Sequence, residues 1–331
     1  MKWRLVPELD LENIRNCKCL LVGSGSLGCQ VARNLLAWGI KAITFIDNGK
    51  ISYSNPVRQS LFVFEDCGKE KWKAVTAAER LKEIFPLVKV EGINMKVPMP
   101  GYPVETKKAI EEAKVDYERL DKLVQEHDAI FLVTDTRESR WLPTVLAQLY
   151  NKICITAALG FDTFVVLRHG IRHNLIQNNE RLGCYFCSDI VAPTNSLRDM
   201  TLDQQCTVSR PALCTIASAI VVELLVSILN APEKQAVGAS EVIEKCGRSC
   251  LGVIPQQIRG SLGDWSTNCL FGQEYKNCVA CSKPVVEGLE KGKFEFVLQA
   301  LNKNSYLEDI TGITEMMREI EGSEILTIDD F

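Results

Sequence analysis

Short unbroken apolar runs alternate with stretches of helical spacing through the first half of the chain. "KCLLVG" (18–23) predicts a strand buried on both faces, followed by a glycine turn and an amphipathic helix through Trp38. "AITFID" (42–47) is the next strand, and "KAVTAAERLKEIF" (73–85) places its apolar residues three and four apart, as a helix does. "VKVEGI" (88–93) is strand-like. The proline-rich "VPMPGYPVETKK" (97–108) predicts a loop, with a charged helical stretch running from it to His127. "AIFLVTD" (129–135), "LPTVLAQLYN" (142–151) and "ICITAAL" (153–159) repeat the strand–helix–strand order. That order predicts an α/β fold with a doubly wound, mainly parallel sheet of Rossmann type.

Past residue 160 the pattern loosens. "FVVLRHG" (164–170) reads as an antiparallel strand, 170–210 as largely irregular, and 211–229 as one apolar helix. A cysteine- and glycine-rich region covers 246–281. The remainder holds a short helix and ends in the acidic-apolar "SEILTIDDF". The expected division is a body over 1–289 and a C-terminal tail over 290–331.

Hydrophobic residues make up 46% of the 331, enough for a sizeable core, and the net charge of −4 gives no electrostatic reason to expect nucleic acid or an anionic membrane as partner. "ALCTIASAIVVELLVSIL" (212–229) has the length of a membrane span, but Glu223 inside it favours a buried helix. "MKWRLVPELD" lacks the apolar core of a signal peptide, so a cytoplasmic location is expected. Fourteen cysteines then imply a reducing compartment, with thiols serving as metal ligands, a nucleophile or core fillers.

Gly23, Gly25 and Gly28 of "GSGSLG" lie between a strand and a helix. There they permit close approach of phosphate to free helix N-terminal amides. Asp47 closes the second strand, where a carboxylate can accept hydrogen bonds from ribose hydroxyls. The motif alone does not choose between NAD and ATP. The residues after it favour ATP. Asn55, Arg58 and Gln59 follow the second strand, Lys73 opens a helix, and Asp135 ends a later strand, where it can hold Mg²⁺. Displacement at an α-phosphorus needs cations and a metal-binding carboxylate, whereas hydride transfer does not.

Cys184–Cys187 and Cys278–Cys281 form two C-x-x-C pairs, each able to supply two corners of a tetrahedral Zn²⁺. Their wide separation predicts a structural staple. Cys246 and Cys250 are spare candidates at wider spacing. Cys206, in "TLDQQCTVSRP", has polar neighbours and a nearby Arg210, a setting that favours thiolate. Cys17, Cys19, Cys29, Cys154 and Cys214 sit in or beside regular elements and read as packed; His169 and His173 read as structural or solvent-facing.

"GSGSLG", "DNG…SNPVRQS", "KAVTAAERL" and "TDTRESRW" resemble the E1-type adenylating fold of ubiquitin-like modifier-activating enzymes. The resemblance implies ATP and Mg²⁺ at Asp47, Asn55, Arg58, Lys73 and Asp135. The segment "GKEKWKAV" is two residues longer than the family's pattern, so Lys71 competes with Lys73; the register of "AVTAAERL" selects Lys73. "RLGCYFC", "VAPT", "TLDQQCTVSRP" and "AALGFDTFVVLRHG" are similar to the C-terminal domain of the autophagy E1-like enzymes, over nearly the whole chain. That similarity implies thioester formation on Cys206 after adenylation of a modifier's C-terminal glycine, with transfer to E2-like enzymes. It also implies homodimerisation, a modifier-binding C-terminal tail and recruitment to the pre-autophagosomal structure. The family's large N-terminal domain has no counterpart here, so the chain is expected to be an isolated C-terminal domain or a short form. An arginine reaching across a dimer could be Arg4 or Arg15. Two rival readings are a sulfur-carrier adenylating enzyme that forms no thioester, which shares the nucleotide residues and zinc cysteines, and a scaffold that docks modifiers without turnover. A dehydrogenase is the remote third.

Overall fold

The computed structural model describes residues 2–172, 181–189, 191–196 and 208–322. Its centre is an eight-stranded sheet. Five strands are parallel: β1 (Lys18–Val22), β2 (Ala42–Ile46), β3 (Lys89–Ile93), β4 (Ala129–Leu132) and β5 (Ile153–Leu159), in the spatial order β3-β2-β1-β4-β5. The sheet continues antiparallel through β6 (Thr163–Arg168). The short pair β7 (Arg248–Ser249) and β8 (Gly252–Val253) stands apart, and β9 (Gln257–Ser261) and β10 (Ser266–Leu270) complete the main sheet beyond β6.

Alternation along the strands feeds two cores. On β1, Cys19 and Leu21 face one and Leu20 and Val22 the other, because successive side chains point to opposite faces. Short N-terminal helices α1 (Lys2–Leu5) and α2 (Leu11–Asn16) precede β1. The first core is covered by α3 (Ser26–Trp38), α4 (Lys73–Ile84) and the apolar helix, whose bounds come after two more helices in the chain. The second is covered by α5 (Lys107–Glu126), α6 (Glu138–Leu149) and the first long helix after residue 280. The apolar helix is α7 (Pro211–Leu229), packed on α3 and on the sheet; it is long and apolar enough to cross a membrane by length and composition, and Glu223 on it accepts a 2.8 Å hydrogen bond from Trp38 Nε1. The C-terminal helices are α8 (Lys283–Asn302), α9 (Tyr306–Thr311) and α10 (Ile313–Gly322).

Several elements differ from expectation, among them the short helices α1 and α2, the pair β7–β8, and three C-terminal helices in place of one. β9 and β10 were not legible in the glycine- and cysteine-rich region, because polar and half-exposed residues replace the apolar run that marks a buried strand. The expected division at 289/290 falls inside α8, which breaks only at Lys293 (φ 46°, ψ −128°) and buries Phe294, Phe296, Val297 and Leu301 in the second core. Leu307 on α9 and Ile313 on α10 join the same core. The end of the expected tail, 323–331, lies outside the described residues.

Candidate functional site

The strand order reverses between β1 and β4, and a crevice at such a reversal, at the carboxyl ends of parallel strands, is where α/β folds bind ligands. The glycine turn occupies that position. Gly23 has φ +111°, a conformation that side-chain-bearing residues rarely adopt, and a Cβ there would lie 3.1 Å from the Val133 carbonyl oxygen just past β4. A Cβ on Gly28 would meet the Gly23 carbonyl oxygen at 2.2 Å, so this glycine lets α3 start directly against the turn. Gly25 differs from both. Among the described residues nothing beyond its chain neighbours lies within 4 Å of its would-be Cβ, and as the N-cap of α3 it leaves that space beside the helix's free amides. The three glycines thus separate into two that the fold requires and one that leaves room for a ligand.

Asp47 braces the turn from the end of β2. One carboxylate oxygen accepts from Ser24 N–H (2.8 Å) and Ser24 Oγ (2.9 Å), the other from Gly49 N–H (2.7 Å). Lone pairs remain for a further donor. Asn55 is buried and accepts from Ser52 N–H at 3.0 Å, while its carbonyl caps the N–H groups of Arg58 and Gln59. Its visible work is to shape the loop that presents Arg58. That guanidinium is exposed and donates to Ser26 Oγ at 3.1 Å, at the first residue of α3. Gln59 is 2% exposed and its Oε1 has no hydrogen-bond partner among the described residues, an uncommon state for a buried polar atom.

The two competing lysines are separated by geometry. Lys71 Nζ is 2.7 Å from Asp66, a buried carboxylate also held by Arg80. Lys73 opens α4 with its N–H on the Gly49 carbonyl (2.9 Å), and its aliphatic chain lies on the same glycine that Asp47 touches. Lys73, and not Lys71, adjoins Gly49, whose N–H Asp47 holds. Asp135 lies three residues beyond β4, exposed and without a hydrogen-bond or ion-pair partner among the described residues; a hard oxygen ligand of this kind suits Mg²⁺ that keeps part of its water shell.

Neighbouring thiols are not nucleophiles. Burial pushes Cys29 up to about 12 and Cys214 up to about 11, so both stay protonated at neutral pH. Cys17, Cys19 and Cys154 are buried as expected, and His169 is buried with Nε2 2.7 Å from Thr156 Oγ1. Cys206 and His173 lie outside the described residues. The segments flanking Cys206 are tied down on both sides: Ser196 N–H donates to Glu138 at 3.1 Å, and Arg210 N–H donates to the Phe161 carbonyl at 2.8 Å.

The four cysteines at 184, 187, 278 and 281 converge, their sulfurs all within 4.8 Å of one another. Adjacent sulfurs are 3.3, 3.6 and 3.8 Å apart. A Zn–S bond of about 2.3 Å requires a tetrahedron with edges of about 3.8 Å, so the set fits zinc and leaves no open position. Burial pushes the Cys184 thiol up, while hydrogen bonds from its three sulfur neighbours hold Cys187 well below the usual thiol value. Backbone N–H groups of Phe186, Ala280 and Tyr275 point at these sulfurs, as a thiolate cluster needs. Cys246 is buried elsewhere and Cys250 is exposed; neither joins the cluster.

The first turn of α6 contributes residues that the sequence reading did not single out. Buried Glu138 holds the Ser196 N–H, and Arg140, 3% exposed, donates to the Thr134 carbonyl at 2.6 Å. Burial pulls the Arg140 guanidinium down, opposed by Tyr185 and Asp135. The available signal was a cluster of charges opening an otherwise apolar helix, in "TDTRESRW".

The ThiF family matches residues 1–244. The chain is 48% identical to the ubiquitin-like modifier-activating enzyme ATG7 of Rattus norvegicus over 359 aligned residues, covering 100% of this chain and 51% of the relative. It is 52% identical to the corresponding enzyme of Emericella nidulans, covering 96% and 47%. The chain thus spans about half the length of the curated relatives it matches. The crystal structure of E. coli MccB with selenomethionine MccA shares the fold, with a TM-score of 0.58 at 19% identity over 84% of this chain and 70% of that one.

Proposed function

The chain belongs to the ThiF family, and from that premise we infer that it is the adenylating and thioester-forming part of an autophagy E1-like enzyme. The observation that carries this reading is the set of groups around the start of α3: the open space at Gly25, Asp47 under the turn, and Arg58 and Lys73 beside it. Its identity to modifier-activating enzymes over the whole chain supports the choice of substrate.

In the first step a carboxylate oxygen of the modifier's C-terminal glycine attacks the α-phosphorus of ATP. The bond to the bridging oxygen breaks, and pyrophosphate leaves. The α3 amides, Arg58 and Lys73 hold phosphate oxygens, Asp47 the ribose, and Asn55 and Gln59 shape the loop between them. Asp135 would hold Mg²⁺, which when bound neutralises charge on the departing pyrophosphate. In the second step the Cys206 thiolate attacks the acyl carbon and AMP leaves, giving a thioester for transfer to an E2-like cysteine. The zinc cysteines serve as a staple. A thiolate metal cluster and a thiol nucleophile suit a reducing compartment such as the cytoplasm, with recruitment to the pre-autophagosomal structure.

Homodimerisation and modifier capture by the C-terminal residues complete the proposal. Arg4 and Arg15 are both exposed and are candidates for reaching a partner's site. Deleting 323–331 should weaken modifier binding and spare ATP binding. The deciding experiment is incubation with ATP, Mg²⁺ and candidate modifiers, followed by non-reducing electrophoresis. A thiol-sensitive adduct is expected with wild type and not with Cys206→Ser; wild type that neither exchanges pyrophosphate nor forms the adduct with any modifier overturns the reading.

A further inference from the structure

One face of α6 meets both halves of the cysteine cluster. Arg140 lies over the Tyr185 ring at 4.9 Å and Arg137 over Phe186 at 5.8 Å, and these two aromatics are the residues between Cys184 and Cys187. Trp141 Nε1 donates at 2.8 Å to the carbonyl of Val279, between Cys278 and Cys281. Arg137 also pairs with Asp189 at 2.8 Å, which continues the contact beyond the first cysteine pair. On its other side Arg140 donates twice to the Thr134 carbonyl (3.2 and 2.6 Å) and once to Ala157 at 3.3 Å. Thr134 immediately precedes Asp135.

Arg140 has no carboxylate within ion-pairing distance among the described residues, although it is almost fully buried. A buried guanidinium whose direct contacts are carbonyls and an aromatic face, with the Asp135 carboxylate acting on it only from beyond ion-pairing distance, is costly. Among the described residues Arg140 makes its directional contacts with two places besides Ala157: the peptide ahead of Asp135 and the ring inside the first cysteine pair. An apolar residue of similar volume would fill the space without linking them.

We propose that Arg140 is a positioning residue that transmits the geometry of the four-cysteine staple to the loop bearing Asp135. The staple then does more than stabilise a distant irregular region. It sets the orientation of the carboxylate at the nucleotide crevice, and losing the Tyr185 face or the guanidinium fork frees that loop while the fold persists. The effect on nucleotide rests on the adenylation reading; the effect on the loop does not.

The test compares wild type, Arg140→Lys, Arg140→Met and Tyr185→Leu, each with its zinc content measured. Amide hydrogen exchange of peptides spanning 131–139 reads the loop, and equilibrium binding of a non-hydrolysable ATP analogue, with and without Mg²⁺, reads the site. Tyr185→Leu and Arg140→Met should retain zinc and cooperative unfolding, yet exchange in 131–139 should rise about tenfold, the scale on which residues supporting a metal site act. Analogue affinity should fall about tenfold with Mg²⁺ and stay near wild type without it. A merely structural loss would weaken both. Arg140→Lys, which keeps charge but not the planar fork, should fall between wild type and Arg140→Met. Unchanged exchange in the zinc-loaded variants overturns the proposal, as does exchange that rises equally throughout the sheet. If wild type itself binds no analogue, the adenylation reading fails, and the exchange data still decide the link.

Discussion

Gly25→Ala and Gly28→Ala offer a direct test of the crevice, because the same added methyl meets opposite surroundings three residues apart. At Gly28 the new Cβ would stand 2.2 Å from a backbone carbonyl oxygen, which cannot move without shifting the turn or the start of α3. Overpacking of this kind costs about 1–3 kcal/mol. At roughly 2 °C per kcal/mol for a chain of this size, Tm should drop by roughly 2–6 °C. At Gly25 the backbone (φ −76°, ψ −156°) is accessible to alanine and, among the described residues, no atom beyond its chain neighbours lies within 4 Å of the methyl. Folding stability should hold within about 0.5 kcal/mol, or rise slightly as the unfolded chain loses freedom. A phosphate lying on the α3 amides would meet that methyl, so ATP affinity should fall by about 1–3 kcal/mol, or roughly 5- to 150-fold. Scanning calorimetry and titration with a non-hydrolysable ATP analogue measure the two effects separately. Gly25→Ala protein that binds ATP as tightly as wild type would show that nucleotide does not rest against this turn. Gly28→Ala protein of unchanged Tm would show that the close approach of α3 is not tight.

Three further perturbations have defined outcomes. Lys73→Ala should abolish ATP–pyrophosphate exchange, whereas Lys71→Ala should keep it and cost about 0.5–1 kcal/mol of stability, since its partly exposed ammonium serves Asp66; the reverse pattern in an exchange assay would reassign the site. Purified chain should carry zinc at one per four-cysteine set by elemental analysis, and Cys278→Ser should lose it together with several kcal/mol of stability in denaturant unfolding; full stability without zinc would remove the staple. Burial pushes Asp66 up, but hydrogen bonds from Arg80, Lys71 and the Val63 N–H outweigh it and bring the carboxyl down to about 2. A carboxylate depressed in the folded state contributes stability that is present above its unfolded value near 3.9 and is lost as pH falls through about 2. Discounted for its partly exposed partners, this is about 1–2 kcal/mol. Asp66→Asn should flatten that acid limb in urea titrations at graded pH, and an unchanged limb would assign it to other carboxyls.

Local chemistry was enough to establish the parallel half of the sheet, the bounds of the apolar helix and the glycine turn. Those features depend on runs and spacings that short segments carry, since a strand buried on both faces must be apolar throughout and a turn at φ +111° favours glycine. The two cysteine pairs were likewise visible as ligands, and the competition between Lys71 and Lys73 was visible as a question. What the tertiary structure decided is where separated segments meet. It brought residues 184 and 278 together, gave Lys71 to Asp66 and Lys73 to Gly49, and added β9 and β10 as polar strands on a sheet begun by apolar ones. It also buried Glu138 and Arg140, whose partners are carbonyls, amides and a ring from elsewhere in the chain. Contacts of that kind leave no periodic trace in sequence, since each is fixed only when the whole sheet has closed around it.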